Sequence, residues 1–216
     1  MSAPEFIAKG TKGSGTGGSV SFTYMGSILS RDFLFLYVVS VGNGAITADA
    51  SWTQVAAGVF PPSSPAGGWK LYRKLADGSE AGTEAVTRSG HSGSDLFIAQ
   101  VYQVRSPFGI PTLESSANLT TGSVSSTITW SATTVSGTER TLLAFVFNYN
   151  GADPGTPSGY VNEATDNDSG SYMELNVKEN VISGGSVTAT GGSSNGWTSI
   201  HVSIYTMPSA RSFIVN

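Results

Sequence analysis

The chain has 216 residues, a formal net charge of −4 and only 12% charged residues, where a soluble domain usually carries about 25%. No segment concentrates lysine or arginine, which argues against a nucleic-acid partner, and the lack of cysteine excludes disulfides and thiolate metal sites. Glycine reaches 27 residues, and Ser, Thr and Asn stand where a helical protein would carry Glu, Lys, Ala and Leu. The N-terminal stretch lacks the basic and apolar regions of a signal peptide. The longest apolar run, Phe33 to Val39, is too short to span a bilayer. These features predict a soluble protein that is not exported by the standard secretory route, has no membrane partner and is compatible with a reducing cytoplasm.

Taken in chain order, the segments alternate with period two. Val20, Phe22 and Tyr24 alternate with Ser21 and Thr23. Phe33 to Val39 is continuously apolar, as a strand covered on both faces would be. Trp69 and Leu71 open another strand, and Leu96 to Val104 forms a longer one. Ile128 and Trp130 alternate, Leu142 to Phe147 is again continuous, and Tyr172 to Val177 and Ile200 to Met207 follow. Turn clusters separate them: Gly42-Asn43-Gly44, Ala76-Asp77-Gly78, Asn150-Gly151, Asp153-Pro154-Gly155 and Gly184-Gly185. No stretch shows a capped helical stripe.

The two halves repeat the same series. Leu34 and Leu36 fall on Leu142 and Ala144, and Trp52 on Tyr160, at an offset of 160−52 = 108. Trp69-Lys70-Leu71 falls on Met173-Glu174-Leu175 at 104, and Phe97 to Tyr102 on Ile200 to Tyr205 at 103. The order is kept while the offset drifts only across turns, as loops tolerate length changes and strand registers do not. The expected fold is all-β: an internally duplicated antiparallel β-sandwich, jelly-roll-like, of eight or more strands. Residues 1–107 form the first repeat and 108–216 the second, together making one compact sandwich, with two small sandwiches side by side as the alternative.

Candidate chemistry is sparse. Gly13-Ser14-Gly15-Thr16-Gly17-Gly18 has the composition of a phosphate-cradling loop, but a strand follows it where a helix N-terminus is needed. His91 lies in a Gly-Ser loop, and His201 lies between Ile200 and Val202 with Ile98 as its repeat mate, which marks a packing position. Asp166-Asn167-Asp168-Ser169-Gly170 begins like a calcium loop, with Asp166 and Asp168 as ligands, but lacks the distal glutamate at the right place. Glu80, Glu84, Glu114, Glu139 and Glu163 suggest no catalytic pair. The expectation is therefore a protein with no catalytic residues and no cofactor. Among the aromatics, Trp52, Trp69 and Trp130 have apolar or aromatic repeat mates and read as core. Trp197, near a loop, together with Tyr160 and Tyr149, is the best candidate for a glycan platform. Phe6 and Ile7 near the start, and Phe213, Ile214 and Val215 near the end, put apolar residues where termini usually fray. They pack on the chain's own sheets or meet a neighbour, for instance by β-addition.

Ser51-Trp52-Thr53-Gln54-Val55, followed by Trp69-Lys70-Leu71-Tyr72-Arg73-Lys74-Leu75-Ala76-Asp77-Gly78-Ser79-Glu80, resembles a set of proteins encoded in tailed-phage genomes and their hosts. In these, a W-T-x-hydrophobic strand start precedes an A-D-G-S-E hairpin. The resemblance covers mostly Trp52 to Val104. It implies a virion structural protein: capsid decoration, head fibre or tail appendage. The chain shows neither heptads nor a fibre shaft, which favours a non-enzymatic decoration (cement) protein on the outer capsid surface. Its partners would be the major capsid protein and neighbouring copies of itself, with Phe6, Ile7, Phe213, Ile214 and Val215 at the two ends as the expected coat contacts. A carbohydrate-binding adhesin or receptor-binding module of the tail, with glycan as partner, is the alternative.

Overall fold

The computed structural model describes residues 2–42, 44–59, 67–91, 95–121, 126–137, 139–149, 151–168, 170–190 and 196–208. The first half contributes β1 (Glu5–Lys9), β2 (Gly13–Gly15), β3 (Ser19–Thr23), β4 (Phe33–Ser40), β5 (Ala45–Thr47), β6 (Thr53–Val59), β7 (Gly68–Leu75), β8 (Thr83–Ser89) and β9 (Phe97–Arg105). The second contributes β10 (Gly109–Thr121), β11 (Thr127–Trp130), β12 (Arg140–Asn148), β13 (Val161–Asp168), β14 (Ser171–Val181), β15 (Val187–Thr190) and β16 (Trp197–Pro208). Among the described residues there is no helix.

The strands form four antiparallel sheets, and none mixes strands from both halves. In the first half a large sheet, ordered β1-β9-β4-β7-β6 with β2 beside β9, carries a small one, β3-β8-β5. In the second, β10-β16-β12-β14-β13 carries β11-β15. The two large sheets pack on each other. The result is four layers with three apolar cores, one between each adjacent pair of layers.

This stacking explains the continuous apolar runs. All eight residues of β4 are buried. Phe35, Tyr37 and Val39 point into the central core, while Leu34, Leu36 and Val38 point the other way, under the small sheet. In β12, Leu143, Phe145 and Phe147 face the centre, and Leu142, Ala144 and Val146 face outward. The Phe145 ring lies 5.9, 5.8 and 5.3 Å from those of Phe35, Tyr37 and Tyr102, tying the halves together.

The duplication is visible in the topology, because β1, β9, β4, β7 and β6 stand in the same order as β10, β16, β12, β14 and β13. The ladders correct one offset. Ser40 pairs with Phe97 and Asn148 with Trp197, so with β4 and β12 offset by 148−40 = 108, the final strands are offset by 197−97 = 100. The sequence match at 103 is three residues out, and an odd slip exchanges the faces of a strand. The counterpart of Phe97 is therefore Trp197, and that of His201 is Val101.

The connection between halves is a tight turn from β9 into β10 across residues 106–108. Polar links cross from one half to the other. The Lys9 ammonium lies 2.5 Å from Asp166, and Lys12 donates to the Asn167 carbonyl at 2.7 Å. Thr206 donates to the Ser2 carbonyl at 3.0 Å, and Thr141 to that of Pro4.

Candidate functional site

The segment from Trp52 to Glu80 folds into a hairpin lock. The Trp52 indole N–H donates to Glu84 at 2.6 Å, and the Tyr24 hydroxyl donates to the other oxygen of the same carboxylate. Lys74 sits over the Trp52 ring and ion-pairs with Glu80 at 3.2 Å. Asp77 accepts from the Ser79 N–H at 2.8 Å, and Gly78 takes φ +92°, which a side chain strongly disfavours. Ala76 then exchanges backbone hydrogen bonds with Arg31 and Asp32, docking the hairpin on the turn before β4. Trp52 and the stretch from Ala76 to Glu80 thus each have a structural task in the hairpin.

Several candidates change character in three dimensions. The glycine-rich segment is strand β2 and its flanks; a Cβ on Gly10 or Gly13 would collide with the carbonyls of Thr23 or Ser21. Glycine there permits close backbone approach, with no phosphate cradle. The aspartates of the calcium-like stretch end β13 at a tight hairpin, and lysines take up their charge: Lys9 meets Asp166, and Lys12 lies 3.7 Å from Asp168. The glycan platform does not form. Trp197 is 1% exposed and Tyr160 8%, both inside the outer core of the second half, and Tyr149 packs against the central core. Trp197 was misplaced in the sequence because the register error set Ile200, rather than Trp197, opposite Phe97.

His201 is wholly buried. Its Nδ1 lies 3.0 Å from the Ser131 carbonyl and its Nε2 2.7 Å from the Tyr160 hydroxyl. Nδ1 therefore carries the proton, and Tyr160 donates to Nε2. Burial lowers the pKa of the imidazole, only partly offset by the Ser131 carbonyl, and keeps it neutral. Phe6 packs partly on the central core, and β1 pairs along β9, so the N-terminal segment is built into the chain's own sheet; Ile7 stays exposed. Phe213, Ile214 and Val215 lie outside the described residues.

Two features went unread in the sequence. One is a groove of about 430 Å³ at the junction of the halves, lined by Leu29, Arg31, Asp32, Arg105, Pro107 and Phe108. Leu29 is 55% exposed and Phe108 63%, an apolar pair on the rim of a charged floor. The floor is rigid. Asp32 accepts from Arg105 at 2.7 and 2.8 Å, from Gln103 at 2.5 Å and from the Leu29 N–H at 2.7 Å. Burial opposes its ionisation, but these donors outweigh it and lower its pKa.

The other is a buried polar cluster on the outward face of the second large sheet. Glu174 and Asn176 on β14 are fully buried. Asn162 on β13 is paired with Asn176 in the ladder and donates to Glu174 Oε2 at 3.4 Å. Thr165 in turn donates to Asn162 Oδ1 at 3.0 Å. Glu174 Oε1 and both amide atoms of Asn176 have no hydrogen-bond partner. The Asp153 carboxylate approaches from the loop before β13. Burial first, and that second carboxylate next, push the Glu174 pKa up to about 8.

No protein-family model, curated protein or solved structure matches the chain.

Proposed function

We propose that this protein is a non-enzymatic structural component of a tailed-phage virion, a decoration protein that binds the outer surface of the coat shell and stabilises it. The observation that carries the reading is the motif from Trp52 to Glu80 and its resemblance to phage-encoded proteins. The motif's residues are spent on locking a hairpin, as suits a protein whose product is a rigid shape. The strand order of the first half supports reading each half as a jelly roll. Leaving out β2, its first, eighth, third and sixth strands lie side by side, facing the second, seventh and fourth, while the fifth departs from that order by extending the larger sheet beside the sixth.

The coat contact is assigned to the Leu29–Phe108 groove. It presents apolar side chains on a floor already held by the Asp32–Arg105 ion pair, so binding requires little reordering. A decoration protein bound only to assembled shells stabilises them by mass action. The glycan-binding alternative loses its motivating feature with the burial of Trp197 and Tyr160.

Co-sedimentation with empty phage heads lacking the protein tests the proposal. Saturable binding by the wild type is expected, with loss on changing Leu29 and Phe108 together to serine. No binding to heads, combined with binding to glycans on an array, would sink it. Residues 1–12 are kept intact in the test, because β1 pairs along β9 and its loss would unsettle the fold itself.

A further inference from the structure

The buried cluster around Glu174 makes little sense as packing. An unpaired polar group inside a protein costs about 1–3 kcal/mol, and an uncompensated charge costs more. Here Glu174 Oε1 and both amide atoms of Asn176 lie buried without partners on neighbouring positions of one strand face. The surrounding groups hold this arrangement. Asn162 takes the other oxygen of Glu174 and is itself fixed by Thr165, while the Asp153 carboxylate lies close to the Glu174 carboxyl. Asp153 is positioned by its own turn, where its Oδ1 accepts from the Gly155 N–H at 2.8 Å and Gly155 takes φ +74°.

The internal duplication supplies an independent comparison. Val38 pairs with Lys70 in the first half as Val146 pairs with Glu174 in the second, so Lys70 is the counterpart of Glu174. Lys70 donates its ammonium to the Ile46 carbonyl at 2.8 Å, on the strand β5 that covers it. The first half therefore meets oxygen with a cation of its own at this position. Among its described residues the second half has no β5 there, and it brings two carboxylates and an amide together with no cation from those residues.

We propose that Glu174, Asp153 and the side-chain oxygen of Asn176 form a binding site for one divalent cation, with calcium as the best fit. All three donors are hard oxygens, which suits calcium and disfavours the softer transition metals. His201, the nearest imidazole by ladder position, already uses both ring nitrogens. Calcium accepts irregular geometry and a mixture of carboxylate, amide and water oxygens, whereas magnesium demands a near-ideal octahedron. Asp153 is exposed, so it can take the ion from solvent and let water complete the shell. Asn162 and Thr165 act as the supporting shell that orients Glu174.

Calorimetric titration of calcium chloride into full-length protein stripped with EDTA and desalted tests this, with melting temperature as a second reading. One calcium per chain and a raised melting temperature are expected. Binding should disappear in Asp153→Asn and in Glu174→Gln, and persist in the Asp166→Asn, Asp168→Asn double variant. Asp153 is exposed, so its variant keeps the test valid if Glu174→Gln fails to fold. The proposal is overturned if the wild type neither binds nor gains stability, or if magnesium and potassium raise the melting temperature as much as calcium. It is equally overturned if binding survives Asp153→Asn but is lost with Asp166 and Asp168.

Discussion

At the scale of single residues, two glutamates work in opposite directions. Glu174 has its pKa raised from 4.5 to about 8, mainly by burial. Without a divalent cation, the folded state holds a proton there that the unfolded chain has released, so the contribution is full below pH 4.5 and is lost as pH rises through 8. Glu114 is the reverse. Burial alone would raise its pKa, but donors from Ser136, Ser203 and Arg140 outweigh that and bring it to about 2. Its contribution is present above the ordinary carboxylate range and fades as pH falls toward 2. In EDTA, the melting temperature should therefore decline from pH 5 to 8 by a slope that Glu174→Gln removes, a step of order a few degrees. Glu114→Gln should instead lower stability at pH 7 by about 2 kcal/mol, measured by urea unfolding. Arg88 shows the same economy. It is a buried guanidinium whose hydrogen bonds run to the carbonyls of Thr16, Gly17, Val41, Asp95 and Leu96, with Ser40 Oγ as a further acceptor, holding three loops together. Nothing in its local sequence, Val86-Thr87-Arg88-Ser89, distinguishes it from a solvent-facing strand residue.

Elements are held by register and by which face each residue takes. Trp197 begins β16 and is paired with Asn148, its ring in the outer core of the second half beside Trp130 and Tyr160. Trp197→Ala should cost about 3–5 kcal/mol in chemical denaturation, the loss typical of emptying a large core site. A surface platform would give almost no change in stability, so a small effect would contradict this placement. The sequence placed Trp197 near a loop, outside the strand read from Ile200, because both its strand membership and its core face depend on counting back along the ladder to Asn148. The Asp77-Gly78 hairpin was legible in full, since its turn chemistry is local. The N-terminal segment was legible as tethered, and the structure supplies its tethers: pairing with β9 and hydrogen bonds from Thr141 and Thr206.

For the whole molecule, the central core decides how the halves behave. Each large sheet has two apolar faces, and one of them is covered only by the other half. An isolated half would expose the row Phe35, Tyr37 and Val39, or the row Leu143, Phe145 and Phe147. Residues 1–107 and 108–216 produced separately should therefore aggregate or pair with each other, whereas the intact chain should melt in one transition. Calorimetry and size-exclusion chromatography check both statements. Two independent transitions in the intact chain would mean that the interface contributes little. The ion pairs of Lys9 and Lys12 with Asp166 and Asp168 lie at the margin of this interface and, being partly exposed, are worth little beside the aromatic packing.

By itself the sequence determined the all-β composition, the continuously apolar strands and the duplication, because these follow from period-two alternation, local turn residues and order along the chain. Strands β10 and β13, whose residues are mostly polar, were not read as strands. Only the tertiary structure decided that the halves form a four-layer stack, that Trp197 and Tyr160 are core, and that Asp153 reaches Glu174. The reason is physical. Alternation tells that a strand has two faces, but not what covers each. Glu174 and Asp153 are brought together by a loop folding over a sheet, a contact that no spacing along the chain encodes.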